Sequence, residues 1–143
     1  MKPGLVPGTT HTISVRVDEN LTVPAVSSRF PGFAEMPPVF ATAFMVGFAE
    51  AAAMGAMADH LEPNEGSVGI EVRFDHTAAT PIGMTVTATA EVTAVEGRVV
   101  SFHVVLRDDE EQIGQGTHRR AVIDREKFDA RLVAKAERAG QQG

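Results

Sequence analysis

The sequence predicts an α+β fold in which an antiparallel sheet curls around one long apolar helix. Two observations carry this expectation. From Pro38 to His60 runs a stretch rich in Ala, Gly, Met and Phe, and between Val39 and Ala58 its single charge is Glu50. A helix apolar nearly all round is a buried helix, so this one should be enclosed. After it come four segments of strand character joined by short turns, and strands segregated from one helix indicate α+β architecture.

Thr12 to Val17 alternates, with Ile13, Val15 and Val17 on one face and Thr12, Ser14 and Arg16 on the other, which reads as a half-buried strand. Leu21 to Val26 reads as a short extension, confined to an edge by Pro24. Ser27 to Pro38 is a loop holding Phe30, Phe33 and Met36 among four Pro/Gly residues. It either packs on the core or lines an apolar pocket beside the helix. The helix follows, at about five turns. Its length of roughly 20 residues would allow a membrane span. The composition opposes one: the run has no Leu or Ile, a central Glu, and Glu35 and Asp59 at its flanks.

Glu62-Pro63-Asn64-Glu65-Gly66 is a turn. Val68 to His76 then alternates, with Val68, Ile70, Val72, Phe74 and, by parity, His76 on the apolar face. A loop ends in Pro81-Ile82-Gly83. Thr85 to Val95 and Arg98 to Arg107 are strands joined by a tight hairpin at Glu96-Gly97. The acidic run from Asp108 to Glu111 is a solvated turn. Gln112 to Asp124 is a further strand, where Gly114 and Gly116 permit a bulge or a ligand's approach. Arg125 to Ala139 reads as an amphipathic terminal helix with Phe128, Leu132, Val133 and Ala136 as its inner stripe, and the Gln-Gln-Gly end as frayed. This is the layout of a hotdog fold: one domain over residues 1–143, its small sheet leaving edges that favour pairing into a homodimer.

The 143 residues suffice for one domain with a sizeable core. A net charge of −6 opposes non-specific nucleic-acid binding, which needs a basic face. With no cysteine, disulfides, thiol chemistry and Cys-based metal sites are excluded, and a cytoplasmic location fits. The start, Met-Lys-Pro-Gly, lacks the apolar core of a signal peptide. His11, His60 and His103 have no metal-ligand spacing, and phosphate-loop and dinucleotide fingerprints are missing. Neither a metal nor a cofactor is expected.

Three residues offer chemistry. Glu50 is the ionisable group of the apolar helix; it either neutralises a buried partner or works as an acid–base group. His76 has core-facing parity, where a histidine is structural on its own. With a carboxylate directed at the same interior it supplies general acid–base catalysis. Thr42 near a helix start is, by itself, usually an N-cap. Eight residues separate Thr42 from Glu50, roughly 12 Å along a regular helix, so they cannot bond directly. Arg119 and Arg120 fall on opposite faces of their strand, and one of them could meet an anionic ligand.

The segment Pro38-Val39-Phe40-Ala41-Thr42-Ala43-Phe44-Met45-Val46-Gly47, with Glu50 beyond it, resembles the helix of the fluoroacetyl-CoA thioesterase family. Gly66-Ser67-Val68-Gly69, His76-Thr77-Ala78-Ala79-Thr80-Pro81, Val95-Glu96-Gly97-Arg98 and Gly116-Thr117-His118 are similar as well. The likeness runs from about Gly4 to Phe128. It implies a hotdog dimer that hydrolyses acyl-CoA thioesters, with Thr42, Glu50 and His76 as catalytic residues. It further implies that the Gly69 backbone contacts substrate near the thioester, that Arg120 lies on the substrate side, and that Phe33 lines the acyl pocket. At Met36 the family's fluoroacetyl-specific enzyme has a gating Phe. Met is flexible and lacks the rigid aromatic face, so the likeness supports thioester hydrolysis more firmly than selectivity for fluoroacetyl. A hotdog enoyl-CoA hydratase or dehydratase would use the same acid–base pair, and a binding module could hold an acyl thioester without turnover.

Overall fold

In the computed structural model, which describes residues 1–142, five strands form one antiparallel sheet in the order β1-β3-β4-β5-β2. These are β1 (Thr10–Arg16), β2 (Glu65–Phe74), β3 (Thr85–Glu96), β4 (Val99–Arg107) and β5 (Gln112–Asp124). The central helix α1 (Thr42–Met57) packs on the concave face, and α2 (Arg125–Gln142) follows β5. The frayed end expected at the terminal Gln-Gln-Gly concerns the last turn of α2 and Gly143, which lies outside the described residues.

The core forms where the small-residue stripe of α1 meets alternate residues of β3 and β4. Met45, Ala49, Ala52, Ala53 and Met57 pack against Val86, Ala88, Ala90, Val92, Val100, Phe102, Val104 and Leu106. Alanine lets the helix lie close to the sheet, and burying each larger side chain contributes roughly 1.5–3 kcal/mol. The hairpin between β3 and β4 turns at Gly97, whose φ of 63° is the left-handed conformation glycine adopts without strain. Gly116 pairs with Phe74 of β2, and a Cβ there would collide with the Arg73 carbonyl oxygen, so its role is close backbone approach between the two strands, with no need of a ligand.

Several expectations are corrected. Leu21–Val26 forms two 3₁₀ turns (Glu19–Leu21 and Val23–Ala25), with only a bridge from Thr22 to Phe40. The helix starts at Thr42, four residues into the apolar stretch that opens at Pro38. Phe40 and Ala41 give their N–H groups to Thr80 and Leu21 carbonyls, which holds them extended. The helix is also not enclosed. Ala43, Gly47 and Met54 lie exposed on the face turned from the sheet. On β2, Ile70 and Val72 are 46% and 49% exposed, because a bulge between Gly69 and Glu71 breaks the alternation. The inner stripe expected of α2 is uncovered at Leu132 and Val133. Among the described residues, no helix is long and apolar enough to cross a membrane.

Candidate active site

Two polar groups sit along α1, one at its start and one at its middle. The first is built at its start. Thr42 opens the helix, with Ala41 as an N-cap whose side chain cannot satisfy the free N–H groups there. His76 lies two residues past the end of β2. The ladder with β5 nevertheless continues, since Asp75 and Thr77 donate to the carbonyls of Gln115 and Ile113. Strand parity therefore persists and turns His76 toward the helix. Thr42 Oγ1 and His76 Nδ1 lie 2.8 Å apart. His76 Nε2 is buried and has no hydrogen-bond partner among the described residues. Burial pushes the imidazole pKa below its usual value, against opposing contributions from the Ala78 backbone and Asp75. His76 is thus poised as a neutral base near pH 7. A cleft of about 270 Å³ adjoins the pair, lined by Val23, Val39, Phe40, Thr42, His76 and Thr77 to Ala79.

The second group centres on Glu50, two turns along. Its Oε1 accepts a hydrogen bond from Arg120 Nη1 at 3.0 Å, and His118 Nε2 lies 3.9 Å away. Arg120 is buried on β5; its Nε donates to Ser67 Oγ and its Nη2 to the Ser67 carbonyl. Gly69 of β2 pairs with Arg120, and a Cβ at Gly69 would stand 2.5 Å from Glu50 Oε1. The glycine leaves room for the carboxylate. Glu50 keeps a third of its side chain exposed, so its second oxygen is open to a reactant.

The structure thus joins Thr42 to His76, and Glu50 to Gly69 and Arg120. Among the described hydrogen bonds, none links the two groups within one chain. Arg119 points away and meets Glu71 at 3.5 Å. Phe33 and Met36 bound a 3₁₀ turn (Phe33–Glu35) in the loop before the helix; Phe33 tilts against Phe30 at 6.1 Å, and Met36 is exposed. Neither lines the Thr42–His76 cleft. Sequence reasoning gave His118 no role of its own; it is wholly buried between Phe74 and Phe102 beside Arg120. The signal was its parity with Arg120, two residues on in the same strand. A larger hollow of about 500 Å³ lies between β5 and α2 near Arg98 and Lys127, and shares none of these residues.

A curled five-strand antiparallel sheet on a central helix is the hotdog-like thioesterase fold. Residues 17–126 match the model of the fluoroacetyl-CoA-specific thioesterase family, and the chain belongs to that family. It is 50% identical over 135 residues to the fluoroacetyl-CoA thioesterase of Streptantibioticus cattleyicolor, covering 94% of this chain and 97% of that protein. An alanine-for-phenylalanine variant of a fluoroacetyl-CoA-specific thioesterase, solved in complex with fluoroacetate and CoA, superposes with a TM-score of 0.83. It is 51% identical and covers 85% of this chain and 98% of its own. A thioesterase superfamily member from Thermus thermophilus superposes at 0.87 with 26% identity, covering 97% and 98% of the two chains.

Proposed function

We infer that this protein is an acyl-CoA thioesterase that hydrolyses short-chain acyl-CoA and works as a homodimer. Hydrolysis rests on the family and on the 50% identical thioesterase. The observation that carries the mechanism is the contact of Thr42 with His76 beside a cleft, with the Glu50 carboxylate held open two turns away.

Water adds to the thioester carbonyl carbon, the C–S bond breaks, and the acid and the free thiol of CoA leave. Glu50 supplies the carboxylate, as base for that water or as the nucleophile itself. His76, neutral before the reaction, moves a proton between the attacking group and the leaving sulfur. Thr42 orients His76 and can hand a hydrogen bond to the carbonyl oxygen. The free N–H groups at the start of α1, with the helix dipole, favour the oxyanion. Arg120 holds one carboxylate oxygen so that the other faces the reactant.

The dimer reading follows from the uncovered surface. The free edge of β2 with Ile70 and Val72, and the outward face of α1 with Met54, form apolar ground that a second copy of the chain would bury. A two-fold contact there would set the Glu50–Gly69–Arg120 group of one copy against the Thr42–His76 cleft of the other. The span 1–143 is then read as one hotdog domain, and a CoA thioester as substrate supports a cytoplasmic location. Phe33 and Met36 bound the acyl side, and the flexible Met36 widens the range of acyl groups accepted.

A panel of short acyl-CoAs, fluoroacetyl-CoA among them, tests the reading by release of free thiol. Release from acetyl- and fluoroacetyl-CoA, with a narrower preference between them than an aromatic gate would impose, is expected. Calorimetric binding with no thiol release from any member overturns it. Sedimentation should give twice the 15.2 kDa chain mass, and Ile70→Lys should shift it toward the monomer.

A further inference from the structure

Both ring nitrogens of the buried His118 have partners, and those partners leave a single protonation state. Nδ1 lies 2.7 Å from the Glu71 carbonyl oxygen, which can only accept, so Nδ1 carries a proton. Nε2 lies 3.1 Å from Arg120 Nη1, which can only donate, so Nε2 is a lone pair. The ring is therefore neutral, in the Nδ1–H tautomer. Its charged neighbours are Arg120 on β5 and Glu50 on α1; β2 contributes the Glu71 carbonyl and Phe74, and β4 contributes Phe102. Burial first, and Arg120 as well, push its pKa down, against the Glu71 carbonyl and Glu50.

The same Arg120 Nη1 carries two N–H bonds, one to His118 Nε2 and one to Glu50 Oε1. Ser67 takes Nε and Nη2. Four donors in a fixed planar fork leave the guanidinium one orientation. The Glu71 carbonyl that starts the chain stands at the β2 bulge. A line of hydrogen bonds therefore runs from the bulge through His118 and Arg120 to the carboxylate.

We propose that His118 is a positioning residue for thioester hydrolysis: as the neutral Nδ1–H tautomer it orients Arg120, and through Arg120 it aims the Glu50 carboxylate. The 3.9 Å approach of His118 to Glu50 is then no ion pair; both flank one guanidinium nitrogen as acceptors. The proposal rests on the reading of Glu50 as the working carboxylate. It assigns the bulge a purpose, which is to present the Glu71 carbonyl to the ring.

Two variants and one spectrum test it. His118→Phe keeps the aromatic volume and removes both hydrogen bonds. His118→Gln keeps an acceptor near the position of Nε2. With acetyl-CoA, His118→Phe should lower kcat by tenfold or more while KM stays within about threefold, and His118→Gln should recover at least a third of the wild-type kcat. Long-range proton–nitrogen-15 correlation on the wild-type protein should show the His118 ring neutral and protonated at Nδ1 at pH 7 to 8. A ring protonated at Nε2, or charged at pH 7, overturns the proposal even if the variants do not fold. So does wild-type kcat in His118→Phe, or an equal loss in both variants. Glu50→Gln separates the two readings. Wild-type turnover there overturns the role of Glu50 and the positioning role with it, whereas a wrong tautomer overturns His118 alone and leaves Glu50 standing.

Discussion

Thr42 Oγ1 meets His76 Nδ1 at 2.8 Å, although 34 residues separate them in the chain. The contact exists because the helix begins at Thr42 itself and because the β2–β5 ladder runs on past the last residue of β2. Thr42 is thus a partner of the imidazole, and within one chain the pair stays separate from the Glu50 group two turns along the helix.

Removing the Thr42 hydroxyl should leave the ring without its orienting bond. Thr42→Ala is expected to lower kcat roughly tenfold to a hundredfold, the range for one positioned acid–base partner. Thr42→Ser should stay within about fivefold of wild type. Steady-state kinetics on acetyl-CoA checks both, and equal kcat in Ala and Ser variants would contradict the role of the hydroxyl.

Gly69→Ala places a methyl group 2.5 Å from where Glu50 Oε1 now lies. The carboxylate must shift, and a displacement of about 1 Å at a reacting group can cost on the order of a hundredfold. A fall of at least tenfold in kcat is expected, with melting temperature within a few degrees of wild type. Full activity would mean that the carboxylate has room to spare.

Burial lowers the pKa of His76, so the free base persists below the usual histidine value of about 6.5. Turnover should hold from neutral pH down to about 6.5 and fall only at lower pH, as the imidazole takes up a proton. The pH profile of kcat/KM reads this limb directly. An acid limb centred above 7 would contradict a lowered pKa.

Glu65 is buried on β2, where its carboxylate accepts from the Met1 amino group, the Glu62 N–H and Arg98. The Met1 amino group is the largest cause that takes its pKa from 4.5 to about 2. A carboxylate whose folded pKa is depressed stabilises the fold above its unfolded pKa, and that stabilisation is lost as pH falls through the folded value. Glu65→Gln should therefore melt below wild type at pH 7, and the gap should close between about pH 4.5 and 2. Thermal melts across that range check it; a constant gap would assign the loss to packing.

Much of the fold is legible along the chain because it is local. Gln112–Asp124 alternates and forms β5 over those same residues, and Glu96-Gly97 marks the β3–β4 hairpin because a two-residue turn needs a left-handed residue. The helix is legible from its composition, but its first residue is not. Phe40 and Ala41 have helix-compatible side chains; it is the carbonyls of Thr80 and Leu21, distant in sequence, that keep them extended. Ile70 shows the same limit. Alternation assigned it to the interior, and a bulge one residue away turned it out, since register depends on what β5 offers opposite.

The candidate residues divide in the same way. Glu50 stands out in sequence as the one charge of an apolar helix, and His76 gains weight only because its core parity directs it at the same interior as that carboxylate. What the sequence by itself determined was this inventory of chemistry and the strand and helix periods that carry it. Which groups meet was decided only by tertiary structure: Thr42 with His76, Glu50 with Arg120 and His118. Hydrogen bonds between side chains on different elements depend on the bulge, the helix start and the close β2–β5 pairing at Gly116, and none of these is a property of a local stretch of chain.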